Sequence, residues 1–209
     1  MLAAQAERFG DRAALCNGPV GTTTSYSFTE VWTYAQRIAR HLIDLGIAPG
    51  DRIAILSESR AEWGLAFFGA FHAGAVVVPM DTKMSPGELQ RIVQDSEPRA
   101  LFASPDLMPV AQQLRSENDR LQHVFLLDSE RGGAVPALLE LDGQGDLSDR
   151  VRSDDDLALI FYTSGTMGSS KGVMISVANL NFQLNKLGAI EAIGHTDRFI
   201  SILPLSHVL

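Results

Sequence analysis

Residues 163–172 read TSGTMGSSKG, which combines Thr163, Ser164, Thr166, Ser169 and Ser170 with Gly165, Gly168, Gly172 and one cation, Lys171. Hydroxyls donate hydrogen bonds, and glycines let backbone N–H groups approach a ligand with no Cβ in the way. An ammonium group adds charge. Phosphate oxygens accept from all three kinds of donor, so these nine residues are the candidate anion-binding set. The order G-T-M-G-S-S-K-G lacks the adjacent Gly-Lys-Ser/Thr of the P-loop, and G-x-G-x-x-G is absent too. A flexible Ser/Gly linker is the competing reading. It is disfavoured because the loop follows directly on the apolar run Leu157-Ala-Leu-Ile-Phe161 and ends in Lys-Gly-Val-Met.

Few other side chains carry a chemical pattern. His207 follows Pro204-Leu-Ser and is the second candidate. His72 lies in an apolar helical stretch and reads as a satisfied core histidine, whereas His41, His123 and His195 fit no pattern. Asp154, Asp155 and Asp156 form a charge run before a strand, which is usually solvated surface. No metal-ligand spacing occurs, so no protein metal site is expected. Cys16 is the single cysteine and rules out an internal disulfide, in keeping with a reducing cytoplasm.

Composition limits the partners. The 209 residues carry a net charge of −8, with an isoelectric point near 5.0. Nucleic acid is therefore disfavoured, since no basic stripe replaces phosphate counterions. The N-terminus shows no basic leader followed by a long apolar core, so no signal peptide is expected. Residues 63–80 carry no formal charge and approach the length of a membrane span, but they break into a helical pattern and then Val76-Val-Val-Pro79.

The elements that must position the loop follow from periodicity. Ser27/Glu30, Ser59/Glu62 and Ser85/Glu88 have capping-box spacing. After the first, Val31, Ala35, Ile38, Leu42 and Leu45 mark one helical face that stops at Gly46. Strands are expected at 52–56, 76–79, 100–103, 124–127, 157–161 and 198–203, and helices after 62, after 85, at 105–115 and at 176–193. This βαβαβαβ order predicts an α/β fold: a mainly parallel sheet with helices on both faces. Residues 1–128 form the α/β portion, the aspartate- and glycine-rich 129–156 a solvated connection, and 157–209 the loop strand, a helix and a final strand.

Residues 162–173, YTSGTMGSSKGV, resemble the signature loop of the acyl-adenylate-forming superfamily, which includes acyl-CoA synthetases, peptide-synthetase adenylation domains and luciferases. Met167 stands where that family commonly has threonine, and Ser170 where it has proline. Residues 66–81, AFFGAFHAGAVVVPMD, resemble the helix and strand before that loop, and LPLSHV at 203–208 resembles the family's second motif. The resemblance implies the first part of a large N-terminal AMP-binding domain. It implies a reaction in two halves, in which a carboxylate attacks the α-phosphate of ATP, and coenzyme A then takes the acyl group, with Mg2+ on the phosphates. Lys171 and His207 would be catalytic, His207 lying near the acyl group and α-phosphate. Fatty or other hydrophobic acids are the expected substrates. A peptide-synthetase-type adenylation domain, a kinase-like NTPase and a non-catalytic interaction module stay open as alternatives. The family's adenine- and ribose-binding residues would lie beyond Leu209, so the chain is expected to be inactive alone and to associate with itself. Peripheral membrane contact is left open.

Overall fold

The computed structural model describes residues 2–18, 24–128, 135–163, 171–189, 194 and 196–206. Its centre is a sheet of six strands: β3 (Arg52–Leu56), β4 (Val76–Met80), β5 (Ala100–Ala103), β6 (His123–Leu126), β7 (Leu157–Thr163) and β8 (Lys171–Ser176). They lie in the order β6-β5-β3-β4-β7-β8. Every neighbouring pair is parallel except β7 with β8. In front of this sheet stand α1 (Leu2–Phe9) and an antiparallel pair, β1 (Ala13–Asn17) and β2 (Thr24–Ser27). The expected mainly parallel α/β sheet is thus present, with β8 as an antiparallel addition.

Strand alternation sends side chains to two faces. Ile53, Ile55, Val77, Phe102, Phe125 and Leu159 pack on the side of α2 (Phe28–Asp44) and α3 (Ala61–His72). Ala54, Leu56, Val78, Met80 and Leu101 pack on the side of α4 (Pro86–Ser96) and α5 (Met108–Ser116). The chain leaves β3 through α3 to reach β4, then returns past β3 through α4 to reach β5. Right-handed crossovers in opposite directions place these helices on opposite faces. Because the strands are parallel, Leu56, Met80, Ala103, Leu126 and Thr163 all end at one edge, and ligands of open α/β sheets bind at such carboxyl edges.

Local signals explain the helix boundaries. Ser27 caps α2 through a reciprocal box, Glu30 N donating to its hydroxyl at 3.2 Å and its own N–H donating to Glu30 at 2.7 Å. At the start of α4 the Ser85 N–H and hydroxyl both donate to the Glu88 carboxylate, at 2.8 and 2.7 Å. Gly46 and Gly74 adopt φ of +79° and +85° just beyond α2 and α3, a left-handed conformation that glycine enters without a Cβ clash. Among the described residues no helix is long and apolar enough to cross a membrane.

Four expectations change. The Ser59/Glu62 box does not form: Arg60 holds the cap position of α3 with no side-chain cap, and Glu62 turns inward to a distant tyrosine. The connection at 129–156 is not simply solvated, because Ala137, Leu138 and Leu141 enter the core. Gly143 and Gly145 lie so close to α2 that a Cβ would collide with the backbone around Arg40 and His41. Residues 198–203 form no strand; Phe199, Ile200 and Ile202 are exposed, and no strand among the described residues lies beside them to share backbone hydrogen bonds. The helix expected at 176–193 is the shorter α6 (Val177–Gly188), capped by Ser176 and Asn179.

Arg152 fastens this connection to the sheet. Its guanidinium donates to the carbonyls of Phe71 and Ala75, the latter at 2.9 Å, and to Leu157 O. Its cation also lies over the Phe71 ring, 4.5 Å from the centroid. One side chain therefore adds a donor to carbonyls where α3 ends and holds the first residue of β7.

Candidate functional site

The anion-binding candidates sit on a hairpin. Antiparallel register pairs Phe161 with Val173, Tyr162 with Gly172 and Thr163 with Lys171, so the Thr163–Lys171 pair closes the connection at 164–170. The hairpin is held in the sheet through Val77 and Leu159. Thr163, Lys171 and Gly172 are described; Ser164, Gly165, Thr166, Gly168, Ser169, Ser170 and His207 lie outside the described residues. Leu159, Phe161 and Ile175 face α2 and α3, and alternation gives Thr163 and Lys171 that same face. Both are exposed. A hydroxyl and an ammonium thus stand side by side at the carboxyl edge.

Tyr162 secures the opposite face of the hairpin. Its phenol donates to Asp95 on α4. Burial and then that bond push the phenol pKa well above its ordinary value, so the donor stays protonated. A Cβ on Gly172 would come within 2.9 Å of Ile160 Cγ2 and 3.3 Å of the Tyr162 ring. The sequence placed Gly172 among the phosphate-approach glycines; in the structure it also leaves room for Ile160 and Tyr162 across the hairpin.

The second motif reaches the same edge. Leu205 packs against the core on the α3 side, and Ser206 is buried. Leu205 N donates to Ser59 Oγ at 3.1 Å, and that hydroxyl donates to Leu203 O at 3.4 Å. Ser59 lies just past the end of β3, and only β4 separates β3 from β7, about 10 Å across the sheet. Residues 203–205 are therefore fixed beside the end of β3.

Sequence reasoning missed the polar group behind Ser59. Arg60 Nε meets Glu62 Oε2 at 2.8 Å, with Glu58 at 3.6 Å and Asp128 at 3.9 Å. Tyr26 donates to Glu62 Oε1 at 2.9 Å, and burial followed by this bond raises the Tyr26 pKa. The Glu62 side chain is 6% exposed, and Arg60 and Tyr26 supply donors to its two oxygens. A buried Glu at helical position two was the available signal, but the cap spacing concealed it.

Among the described residues no group of three or more His, Cys, Asp or Glu could hold a metal ion. His72 is a half-buried helix residue against Trp32, ring centroids 4.9 Å apart. Chemically, the described part of the edge offers the hydroxyl of Thr163 and the ammonium of Lys171 to an anion.

Comparison with known proteins gives the family. Residues 2–209 match the family described as AMP-binding enzyme. The crotonobetaine/carnitine–CoA ligase of Escherichia fergusonii is 30% identical over 210 residues, covering 97% of this chain and 41% of that protein. The chain thus spans about two fifths of the length of such relatives. Among solved structures, an O-succinylbenzoate coenzyme A synthetase from Bacillus subtilis in complex with AMP superposes with a TM-score of 0.79 at 25% identity, over 99% of this chain and 49% of that one. A long-chain-fatty-acid-CoA ligase from Archaeoglobus fulgidus gives 0.83 at 24% identity, over 99% and 41%, and shares the fold.

Proposed function

We propose, since the chain belongs to the AMP-binding enzyme family, that the ligase of which it forms part activates a carboxylic acid with ATP. A carboxylate oxygen attacks the α-phosphorus, the bond to the β-phosphate oxygen breaks, and pyrophosphate leaves with that electron pair. The thiol of coenzyme A then attacks the acyl carbon, and AMP leaves carrying the original carboxylate oxygen. The observation that carries this reading is the β7–β8 hairpin, which pins Thr163 against Lys171 at the carboxyl edge.

In this mechanism residues 163–172 wrap the triphosphate. Lys171 balances the charge that builds on departing pyrophosphate, while Thr163, Ser164, Thr166, Ser169, Ser170 and the N–H groups near Gly165 and Gly168 hold phosphate oxygens. A well-placed donor of this kind lowers a barrier by about 3 to 4 kcal/mol. His207, the residue after Ser206 in the sequence, donates to the acyl carboxylate or shapes its pocket. Magnesium would come with the nucleotide and would offset the charge on its phosphates. A fatty or other hydrophobic acid suits the apolar run Ile202-Leu203-Pro204-Leu205. Labelled pyrophosphate should exchange into ATP only when an acid is supplied. Exchange without acid, or none across a broad acid panel, contradicts the reading.

A further inference from the structure

We infer that Ser59 is a positioning residue: its hydroxyl clasps the backbone at Leu203 and Leu205, and so sets where the segment leading into His207 lies at the carboxyl edge. The inference rests on the adenylating role proposed above for its effect on rate, but the clasp itself is independent of that role.

Three observations carry it. First, the hydroxyl works in both directions, accepting from Leu205 N and donating to Leu203 O, so one side chain replaces the backbone pairing that the stretch at 198–203 lacks. Second, the segment is exposed before the clasp and buried after it: Ile202 is 86% exposed and Ser206 is 8%. The clasp is where the chain turns from solvent into the fold. Third, the support behind Ser59 is stiff. Arg60 is tied to Glu58, Glu62 and Asp128, and Glu62 to Tyr26 on β2. A hydroxyl carried by such a loop is fixed in place with little side-chain freedom to lose, since serine has one χ angle.

Serine or threonine can make both bonds; alanine can make neither. The direct test is amide hydrogen exchange of the 209-residue chain at residue 205. Ser59→Ala should speed exchange of the Leu205 amide about five- to tenfold, the worth of one hydrogen bond, and Ser59→Thr should restore protection. Amides of Ile53 and Val77 should not change in either variant, which separates a local clasp from general loosening. Unchanged Leu205 exchange in Ser59→Ala, or equal acceleration throughout β3 and β4, overturns the proposal. In the complete ligase, Ser59→Ala should lower kcat for acid-dependent pyrophosphate exchange several-fold with KM for ATP unaltered, and Ser59→Thr should recover it. A wild-type kcat in Ser59→Ala, or a rise confined to KM for ATP, overturns the positioning role. If the unaltered ligase shows no acid-dependent exchange, the adenylating function fails, and Leu205 protection still decides the clasp.

Discussion

At the scale of single residues, Lys171 and Gly172 are neighbours with different tasks. Lys171 is exposed beside Thr163, so Lys171→Ala should leave the melting temperature of the chain unchanged and, in the complete ligase, slow pyrophosphate departure by one to two orders of magnitude, about 1.4 to 2.8 kcal/mol. Gly172→Val should do the reverse first: its branched side chain meets Ile160 and the Tyr162 ring, and overpacking of this kind costs about 1 to 3 kcal/mol of stability. Thermal unfolding of both variants separates the two. Histidines give a pH signature. Burial, with Arg40 adding repulsion, lowers the His72 pKa from its ordinary 6.5, and burial with Arg99 lowers that of His123. The unfolded chain then binds protons more readily, so their contribution is complete above pH 6.5 and is lost as pH falls through the lowered values. Urea midpoints at pH 7.5 and 5.5 should show this fall, and the double variant His72→Gln, His123→Gln should reduce it. The residues of the candidate loop were legible because their chemistry is contiguous. Ser59 was not, since its partners lie more than 140 positions away.

At the scale of elements, the parallel core was legible because each βα unit carries its own start, period and stop within about 25 residues. Ser27/Glu30 and Ser85/Glu88 cap as spaced, for nothing else competes for their side chains. Ser59/Glu62 has the same spacing, but Tyr26 and Arg60 take the carboxylate. Spacing does not reveal tertiary competition. β8 escaped notice because Val173, Met174 and Ile175 give no alternation, and its pairing with β7 depends on the loop turning back. The aspartate-rich connection misled through its charge count; three apolar residues and two glycines decide how it packs. Arg152 is the clearest test of that correction. Arg152→Met keeps the hydrophobic stem but leaves carbonyls of Phe71, Ala75 and Leu157 without this donor, and should cost about 2 to 3 kcal/mol in urea unfolding. Arg152→Lys should recover only part of it, since an ammonium lacks the planar fork. A loss below about 0.5 kcal/mol would mean the connection is not held by this residue.

At the scale of the whole molecule, the sheet ends, among the described residues, on β8, an edge strand with Met174 70% exposed, beside α6, where Phe182 is 61% exposed. Open edges and apolar faces promote association. Light scattering of the 209-residue chain should therefore show oligomers at micromolar concentration, and a clean monomer would contradict this. Calorimetry with ATP and magnesium should give millimolar or weaker binding, because contacts to the phosphates alone must offset the lost freedom of the nucleotide; micromolar affinity with turnover would contradict the view that further contacts are needed. A carboxylate oxygen that attacks the α-phosphorus of ATP must leave with the AMP. The most direct measurement supplies the complete ligase with an acid labelled by oxygen-18 in its carboxylate, together with ATP and coenzyme A, and weighs the AMP released. One labelled oxygen in each AMP is the predicted result. Unlabelled AMP, or release of ADP and phosphate in its place, would contradict the account.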